Sequence, residues 1–197
     1  MTNNSELRRM AREQLGGNIF STNWLLMLVV AFIATAISSL SGEITLGIGS
    51  LVVIGATTYG TARATTNLAR GQKANILDVF KGFTEGFGKT LLLGLMTSLF
   101  IFLWSLLFII PGIVKSYSYA MAPYIMQDDP SKDWKQCLDE SKAMMNGHKG
   151  QLFALHLSFI GWLILGLLCF GIGDLFVAPY INQATANFYL AVKEQNA

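Results

Sequence analysis

The sequence predicts an all-α fold, a polytopic membrane helix bundle of about six transmembrane helices with short cytoplasmic amphipathic helices, forming one integral membrane domain over residues 1–197. Three observations carry that expectation: how few charges there are, how long the charge-free intervals run, and where the remaining charges fall. The chain is 52% hydrophobic and 13% charged, where an ordinary soluble domain carries about 25% charged residues. A soluble domain so poor in charge would struggle to cover its surface with polar groups, whereas lipid-facing side chains stay apolar in a bilayer.

A helix crosses the hydrocarbon core with roughly 20 apolar residues, and one central Lys, Arg or Asp costs about 2.5–3.5 kcal/mol. The charge-free intervals predict spans at about 20–42, 44–62, 90–110, 112–127, 151–171 and 174–192. The second is richer in Gly and Thr and so less oily. The fourth is short and follows Pro111-Gly112, a pair that either ends one helix and starts another or kinks a long one. Hydropathy does not separate six spans from five, but charge placement favours six. Arg8, Arg9 and Arg12 put the N-terminus in the cytoplasm. With six spans, the cations of 63–89, the cations of 128–149 and Lys193 are all inside. Of the 14 Lys and Arg, Lys115 alone is outside, and the outer loops reduce to tight turns near Glu43, at 111–115 and at 171–174. Five spans would put Lys132, Lys135, Lys142, Lys149 and the C-terminus outside. The competing reading of the first span is a cleaved signal peptide, since Ala34-Thr35-Ala36 has the A-x-A form. That site lies inside the apolar run, and the arginines are far from it.

Three water-facing segments read as amphipathic helices. Leu7, Met10, Ala11 and Leu15 share a face opposite Arg8, Arg9 and Arg12, Gly16-Gly17 ends the helix, and the expected position is the headgroup level. Ile76, Phe80, Phe83 and Phe87 recur at helical spacing and predict a second interfacial helix, weakened by Gly82, Gly86 and Gly88. The third covers 131–146, with Ser131 as N-cap and Gly147 as stop. Its stripe of Trp134, Leu138, Ser141 and Met145, continued by His148 and Lys149, reads either as a face folded back on the bundle or as a cytoplasmic docking surface for a protein partner. A weak repeat relates Lys89, Leu92, Leu95 and Ser98 to Lys149, Leu152, Leu155 and Ser158. Ala122-Pro123-Tyr124-Ile125 also recurs as Ala178-Pro179-Tyr180-Ile181. Such repeats build many transporters.

Motifs for catalysis are missing: no G-x-S-x-G, P-loop or H-E-x-x-H. Two histidines are too few for a histidine metal cluster, and Cys137 and Cys169 have no metal spacing and no expected disulfide. The expectation is therefore a non-enzyme without cofactor or metal. The small net charge of +2 implies no nucleic-acid partner. His156, inside the fifth span, is either a relay or ligand or an interhelical hydrogen-bonder. The sixth span is the most polar. Asn182, Gln183 and Asn187 line either a polar cavity or interhelical contacts, Asn182 and Thr185 share a face with Tyr189, and Pro179 should break the helix's hydrogen-bond ladder. Ala56, Gly60 and Ala64 mark a close helix contact.

The stretches 110–113, 117–129, 141–149 (S-K-A-M-M-N-G-H-K), 157–162, Pro179-Tyr180 and 186–189, with Leu15-Gly16-Gly17-Asn18, resemble a bacterial integral membrane family catalogued as domain of unknown function 975. More loosely, the layout is similar to the membrane domain attached to some glycerophosphodiester phosphodiesterases, without their hydrolase domain. The resemblance implies a multi-helix protein of the bacterial cell membrane and supplies no reaction. Two functions follow as expectations: binding of membrane lipid or a protein partner in the cell envelope, or a small transporter or flippase with a polar cavity lined by the sixth span.

Overall fold

The computed structural model describes residues 3–18, 20–44, 48–73, 75–168 and 172–195, which form helices and turns with no strand among them. The outer turns expected near Glu43 and at 171–174 border residues 45–47 and 169–171, which lie outside the described residues, as does Cys169.

Helix α1 (Asn4–Gln14) is capped by the Asn3 side chain, which accepts from the Ser5 N–H. Its Leu7 and Ala11, and Leu15 just beyond, are fully buried, packed on later helices and above all on the last one. This corrects the expected headgroup position in one respect: protein, not lipid, covers the apolar face. The chain then turns through Gly16 and Gly17 at φ of 96° and 72°, a backbone region that glycine enters without steric cost.

Helices α2 (Thr22–Ile44) and α3 (Ile48–Ala69) pack together, and α3 is the hub of the molecule. The expected small-residue stripe works as a contact. A Cβ on Gly82 would stand 2.7 Å from the Ala56 Cα, and one on Gly60 2.6 Å from the Val79 Cα. What packs there is the 3-10 turn Ile76–Phe80 and the short helix α4 (Lys81–Thr84). A continuous helix over 76–87 is therefore not formed. Asn75 and Asp78 make a reciprocal cap that starts the 3-10 turn, and Gly86 at φ 78° breaks the chain before α5 (Phe87–Leu107).

Phe108 is extended (φ −158°, ψ 147°), and α6 (Ile109–Tyr119) follows at once. The turn is thus at Phe108 and not at 111–115. Pro111 is the third residue of α6, inside the first turn, where its missing N–H has no helical partner to lose. Gly112 lets the hairpin close, since a Cβ there would meet the Ser105 Cα at 2.9 Å. A break at Ala120–Met121 separates α6 from α7 (Ala122–Asp128).

Helix α8 (Trp134–Met144) starts at Asp133, not Ser131. Asp133 and Gln136 form a capping box, while the Ser131 N–H donates to Asp129 at 3.1 Å. Gly147, at φ 81°, follows its end as expected. The fifth apolar stretch is two helices, α9 (Lys149–Leu157) and α10 (Ile160–Leu168). The last helix, α11 (Ile172–Gln195), runs on through Pro179, whose missing N–H interrupts the hydrogen-bond ladder without ending the helix. The two Ala-Pro-Tyr-Ile copies differ accordingly: 122–125 opens α7, and 178–181 lies within α11.

The core lies where α1, α3, α7, α8, α9 and α11 converge, around Leu7, Tyr59, Met121, Leu152, Phe159 and Phe188. The fold is all-α. Among the described residues, α5 is the helix both long and apolar enough to cross a membrane by length and composition, and Thr22–Ile37 is a shorter apolar one.

Candidate functional site

A cavity of about 680 Å³ opens between α2, α3, the α6–α7 break, α9 and α11. Its wall is apolar over most of its area but carries a row of hydroxyls, Thr35 and Ser39 from α2, Thr57, Thr58 and Thr61 from α3, and Tyr124 and Thr185, together with the His156 imidazole and Asn182. Several threonines donate to the carbonyl one turn back on their own helix: Thr35 to Ala31 at 2.8 Å, Thr58 to Ile54 at 2.7 Å and Thr185 to Ile181 at 2.8 Å. A hydroxyl used this way is satisfied as a donor inside an apolar bundle and keeps acceptor capacity for another partner.

His156 joins three helices. Its Nε2 lies 3.2 Å from the Thr185 hydroxyl and its Nδ1 3.3 Å from the Tyr117 hydroxyl. Thr185 already spends its proton on Ile181, so Nε2–H is the donor to Thr185 and Nδ1 accepts from Tyr117 O–H. Both ring nitrogens are then satisfied by a neutral imidazole. Asn182 lines the same space. Carboxylate, lysine and arginine are missing from the described lining, and among the described residues no three His, Cys, Asp or Glu stand together as metal ligands. The arrangement is suited to hydrogen-bonding an uncharged polar group.

The structure divides the residues expected around a cavity. His156 and Asn182 line it. Gln183 instead is fully buried on another face of α11, donating to Gln14 at 2.8 Å and to the Thr65 carbonyl at 3.2 Å. Asn187 is buried with neither side-chain atom paired to protein. The stripe on α8, read either as a face folded back on the bundle or as a docking surface, packs inward. Leu138, Ser141 and Met145 are buried by the protein itself, and Trp134 packs against the core. His148 and Lys149 are half-buried at the start of α9. Cys137 is buried beside this stripe, and burial pushes its thiol up to about 11.

An ionic clamp that the sequence reading did not anticipate sits at the end of α7. Asp128 takes two bonds from the Arg70 guanidinium at 2.8 and 2.9 Å, one from the Tyr189 hydroxyl at 2.7 Å, and one from Lys193. Burial alone would raise this carboxyl, but hydrogen bonds from Lys193, Tyr189 and Arg70 outweigh it and hold Asp128 below the usual carboxylate range. Sequence spacing contains no signal for the clamp, because Arg70, Asp128 and Lys193 are brought together only by packing of α3, α7 and α11. The threonines of α3 did leave a signal, the reduced oiliness of 44–62.

Fold and site together define an all-α helical protein with an uncharged polar cavity at the meeting point of its helices. The chain belongs to the family described as protein of unknown function (DUF975), whose profile matches residues 1–118 and 106–196. No curated protein and no solved structure gives a significant match.

Proposed function

We propose that the chain is a multi-pass protein of the bacterial cell membrane, crossing six times with both termini cytoplasmic, and that it acts without catalysis by binding membrane lipid. The observation that carries this reading is the apolar outer surface. Only 17% of the apolar stretch of α5 is buried, whereas a core helix of a soluble protein is mostly buried. Leu106 to Ile110, at the α5–α6 turn, are exposed to the extent of 65% or more, and Phe32, Trp162 and Ile164 stand exposed on other helices. Water-soluble monomers rarely expose apolar patches beyond a few hundred Å². The ion pairs of Arg63, Arg70 and Lys132 lie outside these stretches. Burial of Leu138, Ser141 and Met145 favours lipid over a protein docked on that stripe.

Cysteine accessibility tests the topology. In a chain lacking Cys137 and Cys169, Lys135→Cys is expected to resist a membrane-impermeant thiol reagent in intact cells and to react after permeabilisation. Labelling in intact cells would overturn the six-span reading.

A second reading, carriage of a neutral polar solute, is favoured by the cavity around His156 and Asn182. In proteoliposomes, such transport should fall severalfold in Asn182→Leu. Solute uptake that is indifferent to this change removes the cavity from the account.

A further inference from the structure

We propose that a groove on the outer face of α10 and α11 holds one anionic phospholipid, with its headgroup on Arg12 and an acyl chain along α11. The proposal deepens the lipid-binding reading and rests on it. The groove encloses about 480 Å³, within the range of about 300–1,000 Å³ common for small-molecule sites. Its two ends differ in chemistry. One is polar, formed by Arg12 with Gly17 and Asn18, where the chain leaves α1 for α2. The other is apolar, walled by Trp162 and Phe176 over a floor where Gly166 and Gly173 meet. A Cβ on Gly173 would stand 2.5 Å from the Gly166 Cα, so bare backbone leaves the trough open. From Gly173 to Tyr180 the wall follows α11 for about 10 Å.

Among the described lining residues Arg12 is the charged one, and it forms no ion pair with any described residue. The neighbouring Glu13 is engaged by Arg9 at 3.8 Å. The protein contact of the Arg12 guanidinium is Tyr180, at 3.5 Å from the hydroxyl and 5.9 Å from the ring centroid. That contact orients the cation at the groove mouth without neutralising it. Trp24 helps fix the wall, its indole N–H donating to the Phe176 carbonyl at 3.2 Å. An unneutralised guanidinium suits a phosphate. Among the described lining residues the charge is that of Arg12 alone, and a lone cation prefers an anionic over a zwitterionic headgroup.

The test uses the full chain in nanodiscs containing equal parts phosphatidylglycerol and phosphatidylethanolamine, with bound lipid counted by native mass spectrometry after release into mild detergent. The native chain is expected to retain one phosphatidylglycerol in preference to phosphatidylethanolamine. Arg12→Gln should reduce that retention about fivefold, the weight of one arginine facing an anionic membrane surface. Arg12→Lys should keep most of it, and Arg9→Gln, outside the groove, should keep all of it. Trp162→Ala, at an exposed wall position, should weaken retention of either lipid and gives a second reading should Arg12→Gln fold poorly. Equal retention of the two lipids by the native chain, or unchanged phosphatidylglycerol retention in a folded Arg12→Gln, would overturn the proposal, as would unchanged retention in Trp162→Ala where Arg12→Gln does not fold. Carbonate extraction separates this failure from failure of the membrane reading. A chain that stays in the membrane pellet without lipid preference rejects only the groove, and a chain released by carbonate rejects both.

Discussion

Asp128 has a side chain only 10% exposed and three donors from two other helices, so its protonation state governs whether α3, α7 and α11 stay tied together. The native carboxyl binds a proton less readily than an ordinary one of 3.8. Its contribution is therefore complete above that value and is lost as pH falls through the lower native value. Acid should lower the thermal midpoint of the detergent-solubilised protein below about pH 4. In Asp128→Asn that dependence should flatten, with about 1–2 kcal/mol lost at neutral pH. This is less than the roughly 3–5 kcal/mol of a fully buried pair, because Arg70 and Lys193 keep partial access to water. An unchanged acid limb in Asp128→Asn, followed by thermal denaturation across pH, would assign the acid sensitivity to other groups.

At the scale of elements, Ser141 shows what was legible in the chain and what was not. The stripe Trp134, Leu138, Ser141, Met145 was readable as one helical face because periodicity survives without tertiary context. Its destination was not readable, since a face folded on the bundle and a face offered to a partner have the same period. The structure supplies the reason for a serine there. Its Oγ donates to the Ser118 carbonyl at 2.8 Å and accepts the Met121 N–H at 3.2 Å. It thus satisfies backbone groups around the α6–α7 break, where the helical ladder is interrupted, and unpaired buried groups of this kind cost about 1–3 kcal/mol. Boundaries were less legible than faces. Asp133 outcompetes Ser131 as N-cap because Gln136 can return the hydrogen bond, and Ser131 turns to Asp129 instead. Pro111 suggested a turn by residue type, yet the extended residue is Phe108, and proline fits the first turn of the helix that follows. The apolar spacing at 76–87 suggested one helix, but close packing of Gly82 on Ala56 and of Val79 on Gly60 dictates a folded 3-10 turn and short helix. In the site, His156 and Asn182 were legible as polar residues in apolar runs. The separation of Asn182 from Gln183 was not, because adjacent helical positions differ by about 100° and only packing decides which one faces the cavity.

For the whole molecule, the decisive issue is which solvent meets the outer surface, and one residue on that surface can decide it by magnitude. Leu99, in the middle of α5, is 44% exposed, so replacing it disturbs the interior little. On a water-facing helix, Leu99→Lys is an ordinary surface change, worth about 0.5 kcal/mol or less. At the centre of a membrane span the same lysine costs about 2.5–3.5 kcal/mol against insertion, enough to shift an insertion equilibrium by about two orders of magnitude. The two readings therefore differ by several-fold in energy, well beyond the error of a membrane-insertion measurement. The expected outcome is a sharp fall in the membrane-inserted fraction of Leu99→Lys, measured by carbonate extraction and glycosylation mapping of α5 in a microsomal translation system. Lys142→Leu, an exposed change on α8 outside any expected span, should insert as the native chain does. A Leu99→Lys protein that folds and remains soluble with an unchanged thermal midpoint would place α5 against water, and the outer apolar surface would then have to be covered by further protein chains instead of lipid.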